Sequence, residues 1–214
     1  MSSPPVEMES PLWRFSLAVY RGDGVPEECL NVQERLGVDV NLLMLCAYVG
    51  AVEGAVLAAS DIADALEASG AWHGNAVKTL RQVRRTMKPW GTGAHDPENA
   101  CPALDAGWAP VFGEDHAPSK SRFAHVIEAL RTKVKGAELE AEQIEQAMMW
   151  AWLRARAGEL RRREPRQALT ANVFALLIRC GATAVQAEPL QALPQFCAAA
   201  LKAATRDRAT GTGS

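Results

Sequence analysis

The apolar positions of this chain recur at helical spacing, most densely in residues 37–52, GVDVNLLMLCAYVGAV. The apolar residues of this segment cover so much of the helical circumference that the helix should be buried nearly all round. Gly37 is the residue type that ends a helix in the left-handed conformation, and Asp39, followed by Asn41, is the type that caps the next helix. We therefore predict that a helix from Asp39 to about Glu53 forms the core.

The same pattern predicts helices on both sides of this segment. Ser10 and Pro11 are typical of a helix start, and Trp13 lies on the apolar face of the helix that follows. A second helix is expected over residues 26–35, before the core helix, which is the third. A fourth is expected to be capped by Ser60 and to end at Gly70.

A fifth helix is predicted from about Trp72 to Lys88, with an apolar face opposite a face of Lys and Arg, and Pro89 should end it. Residues 89–120 are rich in Pro and Gly and form a long connection. A long helix follows, whose apolar positions alternate spacings of four and three, as in the seam of a bundle or coiled coil. The members of this seam are Phe123, Ile127, Leu130, Val134, Ala137, Ala141, Ile144, Met148 and Ala151.

No segment shows the period-two alternation of a strand, so we predict no strands. The expected fold class is all-α, an irregular helical bundle in which the fifth helix and the long helix pack antiparallel. A helical domain should cover residues 10–153, a helical C-terminal extension residues 154–204, and a disordered tail residues 205–214.

Composition and charge narrow the classes of partner. The chain has 23 Lys and Arg against 25 Asp and Glu, a net charge of −2, which provides no general attraction to nucleic acid or to anionic membranes. The basic run of residues 154–166 is interrupted by Glu159 and Glu164 and lacks aromatic residues, which favours a solvated helix end. The sequence contains no recognisable signal peptide or membrane span, so we expect a cytoplasmic protein that binds neither membrane nor nucleic acid.

The five cysteines are odd in number, widely spaced and without a C-x-x-C pair, which favours a reducing compartment. Cys29, Cys46, Cys180 and Cys197 lie in apolar helical contexts and should be small core residues. Cys101 lies in the long connection and should be exposed.

One set of charged residues could form a functional site. Acidic residues one turn apart on the long helix can form ion pairs with basic residues of the fifth helix. Its members are Arg81, Arg84 and Arg85 on the fifth helix and Glu138, Glu142 and Glu145 on the long helix. Three interpretations are open: two solvated faces, an Arg–Glu network that sets how the helices pack, or a pocket that binds an anion or performs catalysis.

The sequence shows only weak patterns for a metal site or for a catalytic nucleophile. His125 precedes Glu128, the reverse of the Glu-x-x-His pairs of di-metal helical sites. His95, Asp96, Cys101 and His116 could ligate zinc, but their spacing matches no common zinc pattern. We find no nucleophile elbow and no Gly-rich phosphate loop, and we predict no metal, cofactor or catalytic residue.

Trp150 and Trp152 are two residues apart and cannot share one helix face. The exposed one would mark a partner surface, because aromatic residues concentrate at binding hot spots. Alternatively, the apolar C-terminal segment of the chain covers it.

Four segments in order resemble a family of small bacterial cytosolic proteins classed as a domain of unknown function, with the pattern L-W-x-F-S-L, G-V-D-V-N-L-L, L-R-x-x-R-R and A-E-L-x-A-E. They are PLWRFSLAVY, GVPEECLNVQERLGVDVNLLMLCAYVG, AWHGNAVKTLRQVRRTMK and VKGAELEAEQIEQAMM. The resemblance covers about Pro11–Leu153 apart from the long connection and implies a helical domain without an assigned activity. Thr79 stands where the family usually has Pro, and the segment beyond Arg154 looks like an extension.

Two functional hypotheses follow. The first is a non-enzymatic interaction or regulatory protein that binds an unidentified protein partner. The second is a binder of a small molecule or anion, or an enzyme, that uses the Arg and Glu residues in a polar cleft.

Overall fold

The computed structural model describes residues 6–91, 120–156 and 158–211, which form two compact units. Of these described residues, one unit contains 6–71, 143–156 and 158–211, and the second contains 72–91 and 120–142. In chain order the described elements are α1 (Pro11–Tyr20), α2 (Val25–Leu36), α3 (Val40–Ala51), β1 (Ala55–Val56), α4 (Ala59–Trp72), a π-helical turn (His73–Val77), α5 (Lys78–Gly91), α6 (Lys120–Arg156), β2 (Arg161–Arg162), α7 (Pro165–Arg179), α8 (Pro189–Ala192) and α9 (Pro194–Gly211). The all-α prediction is confirmed.

The core of the first unit is built around α3. Every residue from Asn41 to Ala51 is buried, which confirms the predicted all-round burial of this helix. Gly37 ends α2 in the left-handed conformation with φ 67°, and the Asp39 carboxylate accepts a hydrogen bond from the Asn41 N–H at 2.9 Å. The predicted caps of α2 and α3 are therefore confirmed, as is the cap of α1, where Ser10 accepts from the Trp13 N–H.

The closest approach in this unit joins α3 to α7 at Gly50. A Cβ atom placed on Gly50 would lie 2.4 Å from the Cα of Leu169 and 2.5 Å from its backbone nitrogen. No side chain fits at that distance from a rigid backbone, so only Gly lets the two helices cross here.

The C-terminal helices belong to the same core as α3. Leu169, Leu177 and Phe196 are fully buried, and Asn172 ties α7 to the region that follows α3. The side-chain amide of Asn172 donates to the carbonyls of Cys46 at 3.2 Å and Ala55 at 3.0 Å, and its oxygen accepts from the Leu57 N–H at 2.8 Å. The core of this unit thus includes side chains from α7 and from residues 194–204 of α9.

The prediction of no strands is wrong at one place. β1 pairs antiparallel with β2, with Ala55 opposite Arg162 and Val56 opposite Arg161. Each strand has only two residues, which is too short for an alternating pattern to be visible in sequence. Gly54 enters β1 at a positive φ of 58°, a conformation that glycine adopts without strain.

The predicted boundaries of the fourth and fifth helices also need correction. α4 begins at Ala59 and continues past Gly70 to Trp72, and α5 continues past Pro89 to Gly91. A glycine inside a helix costs only about 1 kcal/mol relative to alanine, so Gly70 does not have to end α4. The π-helical turn His73–Val77 had no signal in the periodicity.

Gly50→Ala should destabilise the protein by roughly 3 kcal/mol, because the added methyl group would overlap the α7 backbone. Gly70→Ala in α4 is the matched control, since nothing lies within 4 Å of the added Cβ. The control should stabilise by roughly 0.5–1 kcal/mol through helix propensity. Urea unfolding measures both, and a Gly50→Ala protein as stable as the wild type would contradict the close crossing.

Three of the predicted core cysteines are buried, namely Cys29, Cys46 and Cys197, whereas Cys180 is half-buried. Burial, followed by the charge of Glu28, raises the pKa of the Cys29 thiol to about 12. Burial and then Glu28 likewise raise the pKa of Cys197 to about 12. Burial also raises the pKa of Cys46 far above its usual range. Cys101 lies outside the described residues.

Iodoacetamide at pH 8 should therefore modify Cys29, Cys46 and Cys197 in the folded protein roughly 1000-fold more slowly than in urea, because the reactive thiolate is scarce and shielded. Cys180 should react faster than these three. Peptide mass spectrometry over time measures each rate. Equal rates at Cys180 and Cys46 in the folded state would contradict the described burial.

Candidate functional site

The second unit contains an ionic cluster between α5 and α6. Arg81 donates from Nε to Glu138 Oε1 at 3.1 Å and from Nη2 to Glu142 Oε1 at 2.7 Å. Arg84 donates from Nε to Glu138 Oε2 and from Nη2 to Glu138 Oε1 at 3.2 Å. Glu138 is thus held by two guanidinium groups, and we call these four residues the Arg–Glu cluster.

Helical spacing explains why these four side chains meet. Arg81 and Arg84 are three residues apart on α5, and Glu138 and Glu142 are four residues apart on α6, so each pair lies on one face of its helix. Trp72 strengthens the contact, because its indole N–H donates to the Ala141 carbonyl at 2.8 Å. The side chain of Glu138 is only 8% exposed, and that of Arg81 is 15% exposed.

The electrostatic balance of the cluster favours its charged form. Burial by itself raises the pKa of Glu138, but the hydrogen bonds from Arg84 and Arg81 and their positive charge outweigh burial, so the net pKa lies below the usual 4.5. Burial by itself lowers the pKa of Arg81, and the hydrogen bonds of Glu138 and Glu142 reverse that effect. The pKa of Arg84 is raised above its ordinary value, chiefly by its hydrogen bond to Glu138.

Two residues of the predicted constellation lie outside the cluster. Arg85 is exposed on α5. Glu145 is fully buried in the first unit and accepts a hydrogen bond from the Asn41 side chain at 2.7 Å. Glu145 is separated from the cluster by distance along α6, because it lies two turns, about 10 Å along the helix axis, beyond Glu138.

The predicted heptad seam coincides only in part with the buried face of α6. Ala141 of the seam is buried, whereas Leu130 is 53% exposed, and Ala137 and Ala151 are exposed. The described side chains of α6 that are buried are Glu138, Ala141, Glu145, Gln146, Ala147, Met149, Trp150 and Leu153. The apolar spacing misled the prediction, because the buried polar residues of this face have partners and so need not point to solvent.

A buried polar network links α1, α3 and α6 within the first unit. The Gln146 amide donates to Asn41 Oδ1 at 2.9 Å, and its oxygen accepts from the Ser16 hydroxyl at 2.8 Å. Asn41 in turn donates to Glu145, so four side chains from three helices are connected. Sequence reasoning had identified Asn41 and Glu145 separately, but it missed Ser16 and Gln146, which carry no local signal.

Asp39 lies beside this network at the start of α3. A carboxylate oxygen of Asp39 and one of Glu145 lie within 4.8 Å of each other, and both residues are buried. The network therefore places acidic groups next to the cap of the central helix.

The tryptophans have different surroundings. Trp13 is buried as predicted. Trp150 is also buried. Its indole N–H donates to a Glu7 carboxylate oxygen at 2.8 Å, and its ring and that of Tyr48 are nearly perpendicular, with their centroids 5.8 Å apart. Trp150 therefore offers no exposed partner surface, and the N-terminal residues contribute to its cover.

Trp152 is half-buried beneath a cation. The Arg156 guanidinium lies 5.6 Å from the centre of the Trp152 ring. The same guanidinium pairs with Asp64 at 2.6 Å and with Asp61 at 3.5 Å on α4. The ring of Trp152 is therefore partly covered by a side chain of its own unit.

The predicted zinc candidates, His95, Asp96, Cys101 and His116, lie outside the described residues. Among the helices that are described, none combines the length and apolar content needed to cross a bilayer.

The comparisons with known proteins bear on the N-terminal half of the chain. A family model described as "Protein of unknown function (DUF2390)" matches residues 11–103. The chain is similar to this family of unknown function over those residues. The match begins at the predicted position, confirms the resemblance to a domain of unknown function, and does not include α6. No curated protein and no solved structure matches the chain significantly.

Glu138→Gln should destabilise the protein by about 1–2 kcal/mol at pH 7, because Arg81 and Arg84 lose a shared carboxylate. The pKa of Glu138 is lowered in the fold, so its contribution is present above the usual value of 4.5 and is lost as the pH falls through the folded-state pKa. The difference in free energy of unfolding between the wild type and Glu138→Gln should therefore become smaller at acid pH.

Exposed Glu140 supplies the control, and Glu140→Gln should change stability by no more than about 0.5 kcal/mol. Thermal unfolding at pH 7 and at acid pH measures all three proteins. The interpretation fails if Glu138→Gln and Glu140→Gln melt alike at pH 7.

Proposed function

We propose that this chain is a non-enzymatic protein–protein interaction or regulatory protein and that it binds an acidic partner protein. The proposed surface is the basic helix pair, which we define as residues 72–91 and 120–142. The observation that supports the proposal is the different placement of two groups of cations in this unit. Arg81 and Arg84 bind Glu138 and Glu142, whereas four other cations, Lys78, Arg85, Lys133 and Lys135, are exposed.

Charge is the first support. The basic helix pair has ten Lys and Arg against four Glu, although acidic residues are in excess in the whole chain. Exposed cations are found on both helices, namely Lys78, Arg85, Lys133 and Lys135. A concentration of one sign of charge steers and orients a partner of the opposite sign.

Exposed apolar residues on the same helices are the second support. Val83 on α5 is 42% exposed, and Val126 and Leu130 on α6 are 54% and 53% exposed. Apolar anchors beside cations are typical of surfaces that bind an amphipathic acidic segment. The expected partner therefore presents both carboxylates and apolar side chains.

The geometry of the Arg–Glu cluster favours this function over an anion pocket. The donors of Arg81 and Arg84 that face α6 already bind carboxylates of the same chain. A phosphate or carboxylate ligand would have to displace Glu138 from two guanidinium groups. We therefore assign the cluster the role of holding α5 and α6 in position.

Charge reversal on the proposed surface tests the function. The variant Lys78→Glu/Arg85→Glu should lose an acidic partner at least about tenfold in affinity capture from the source organism, quantified by mass spectrometry. The matched control is Arg161→Glu/Arg179→Glu, which reverses two exposed cations of the first unit. The control should capture the same partner as the wild type.

Salt supplies a second criterion, because exposed charge pairs are screened. Capture by the wild type should weaken as the salt concentration rises. Identical captured proteins for all three chains, or a captured protein without acidic character, would refute the proposed surface.

A further inference from the structure

Glu7, Met8 and Glu9 lie against α6 in the first unit, and we call these three residues the N-terminal strap. The indole N–H of Trp150 donates to a Glu7 carboxylate oxygen at 2.8 Å. The side-chain amide of Gln143 donates to the Met8 carbonyl at 3.1 Å and to a Glu9 carboxylate oxygen at 2.8 Å. Side chains of one helix thus bind two carboxylates and one carbonyl of the strap.

The positions of the two donors explain how α6 holds the strap. Trp150 and Gln143 are seven residues apart, so they lie on one face of α6 and two turns from each other. Glu7 and Glu9, on either side of Met8, each place a carboxylate on one of these donors. The face of α6 therefore binds a Glu-x-Glu pattern.

The strap is attached to the helices mainly by contacts near the surface. Glu7 and Glu9 are exposed, and Met8 is half-buried. Arg14 on α1 adds a hydrogen bond from Nη1 to the Glu9 carbonyl at 2.6 Å, which is also exposed. Segments with few buried contacts open locally at a small fraction of the free energy of global unfolding. We therefore expect the strap to leave α6 without unfolding of the core.

The surface beneath the strap has the composition of a binding site. Trp150 packs against Tyr48, and the guanidinium of exposed Arg154 lies 5.8 Å from the centre of the Trp150 ring. A tryptophan whose N–H needs an acceptor, beside an arginine, is typical of binding hot spots. The donors and the cation favour an acidic occupant.

We propose that this face of α6 is a docking site for an acidic segment of a partner protein and that the strap occupies it as an intramolecular competitor. The partner segment presents two carboxylates with the Glu-x-Glu spacing of the strap, one to Trp150 and one to Gln143. The strap keeps the site filled until the partner displaces it. The site lies in the first unit and uses no residue of the basic helix pair, so it is tested separately from the proposed function.

A peptide of residues 6–11, VEMESP with blocked ends, is the probe for this site. In the full-length variant Glu7→Gln/Glu9→Gln the strap loses both carboxylates and competes less well. The peptide should bind this variant at least about tenfold more tightly than the wild type, in which the competitor is tethered beside the site. An NMR titration that follows the Trp150 indole N–H signal measures both affinities, and Trp150→Phe assigns that signal by its loss. Equal affinities, or no binding to the variant, would refute the proposal.

Two controls test whether carboxylates are recognised. Glu34→Gln/Glu159→Gln neutralises two exposed acids elsewhere in the same unit, and it should bind the peptide as weakly as the wild type. The peptide VQMQSP should bind Glu7→Gln/Glu9→Gln at least about tenfold more weakly than VEMESP. Equal binding of the two peptides would contradict recognition of an acidic segment.

Gln143→Ala, added to Glu7→Gln/Glu9→Gln, locates the site on α6. Loss of one donor to a carboxylate should weaken VEMESP binding at least about fivefold. Circular dichroism melting establishes that each variant is folded before titration. Binding that is unchanged by Gln143→Ala would place the peptide elsewhere and would refute the proposed site.

Sedimentation velocity distinguishes a partner segment from the strap of a second copy. The peptide should leave the oligomeric state of the wild type unchanged. A wild-type dimer that the peptide dissociates would show that a second copy is the occupant, and it would overturn the assignment to a partner protein.

Discussion

The crossing of α3 and α7 at Gly50 is the contact on which the first unit depends. With a projected Cβ only 2.4 Å from the backbone of Leu169, the two helices are as close as backbones can pack. That closeness allows α3 to be buried on every side and brings Asn172 within reach of the carbonyls of Cys46 and Ala55. The paired strands and the C-terminal helices take their places around this contact.

Polar side chains fulfil a different role in each unit. In the first unit, Ser16, Asn41, Glu145 and Gln146 form a chain of hydrogen bonds inside the protein. Burial makes each unsatisfied group costly, so this network selects one arrangement of α1, α3 and α6. In the second unit, the Arg–Glu cluster joins α5 to α6 through the buried carboxylate of Glu138, which two partly exposed arginines hold.

This difference separates structural charge from charge that is available for binding. Arg81 and Arg84 face carboxylates of their own chain, whereas Arg85 and Lys78 stay exposed on the same helix. The cations of α5 are therefore divided between a cluster that holds α6 and an exposed face of the helix.

Local sequence signals predicted the helical class, the burial of α3 and the caps at Ser10, Gly37 and Asp39. These features depend on residues a few positions apart, where backbone preference and side-chain reach decide the outcome. The pairing of Arg81 with Glu142 was one of several arrangements that helical spacing allowed.

Only the tertiary structure decided which positions of α6 are buried, which polar groups form hydrogen bonds with each other and where the two short strands pair. The apolar seam indicated the buried positions of α6 only in part, because Glu138 and Gln146 acquire partners that are 54 to 105 residues away. β1 and β2 are likewise defined only by their pairing across more than 100 residues. Such contacts have no local signature, because the free energy of burying a polar group depends on a partner that only the folded chain supplies.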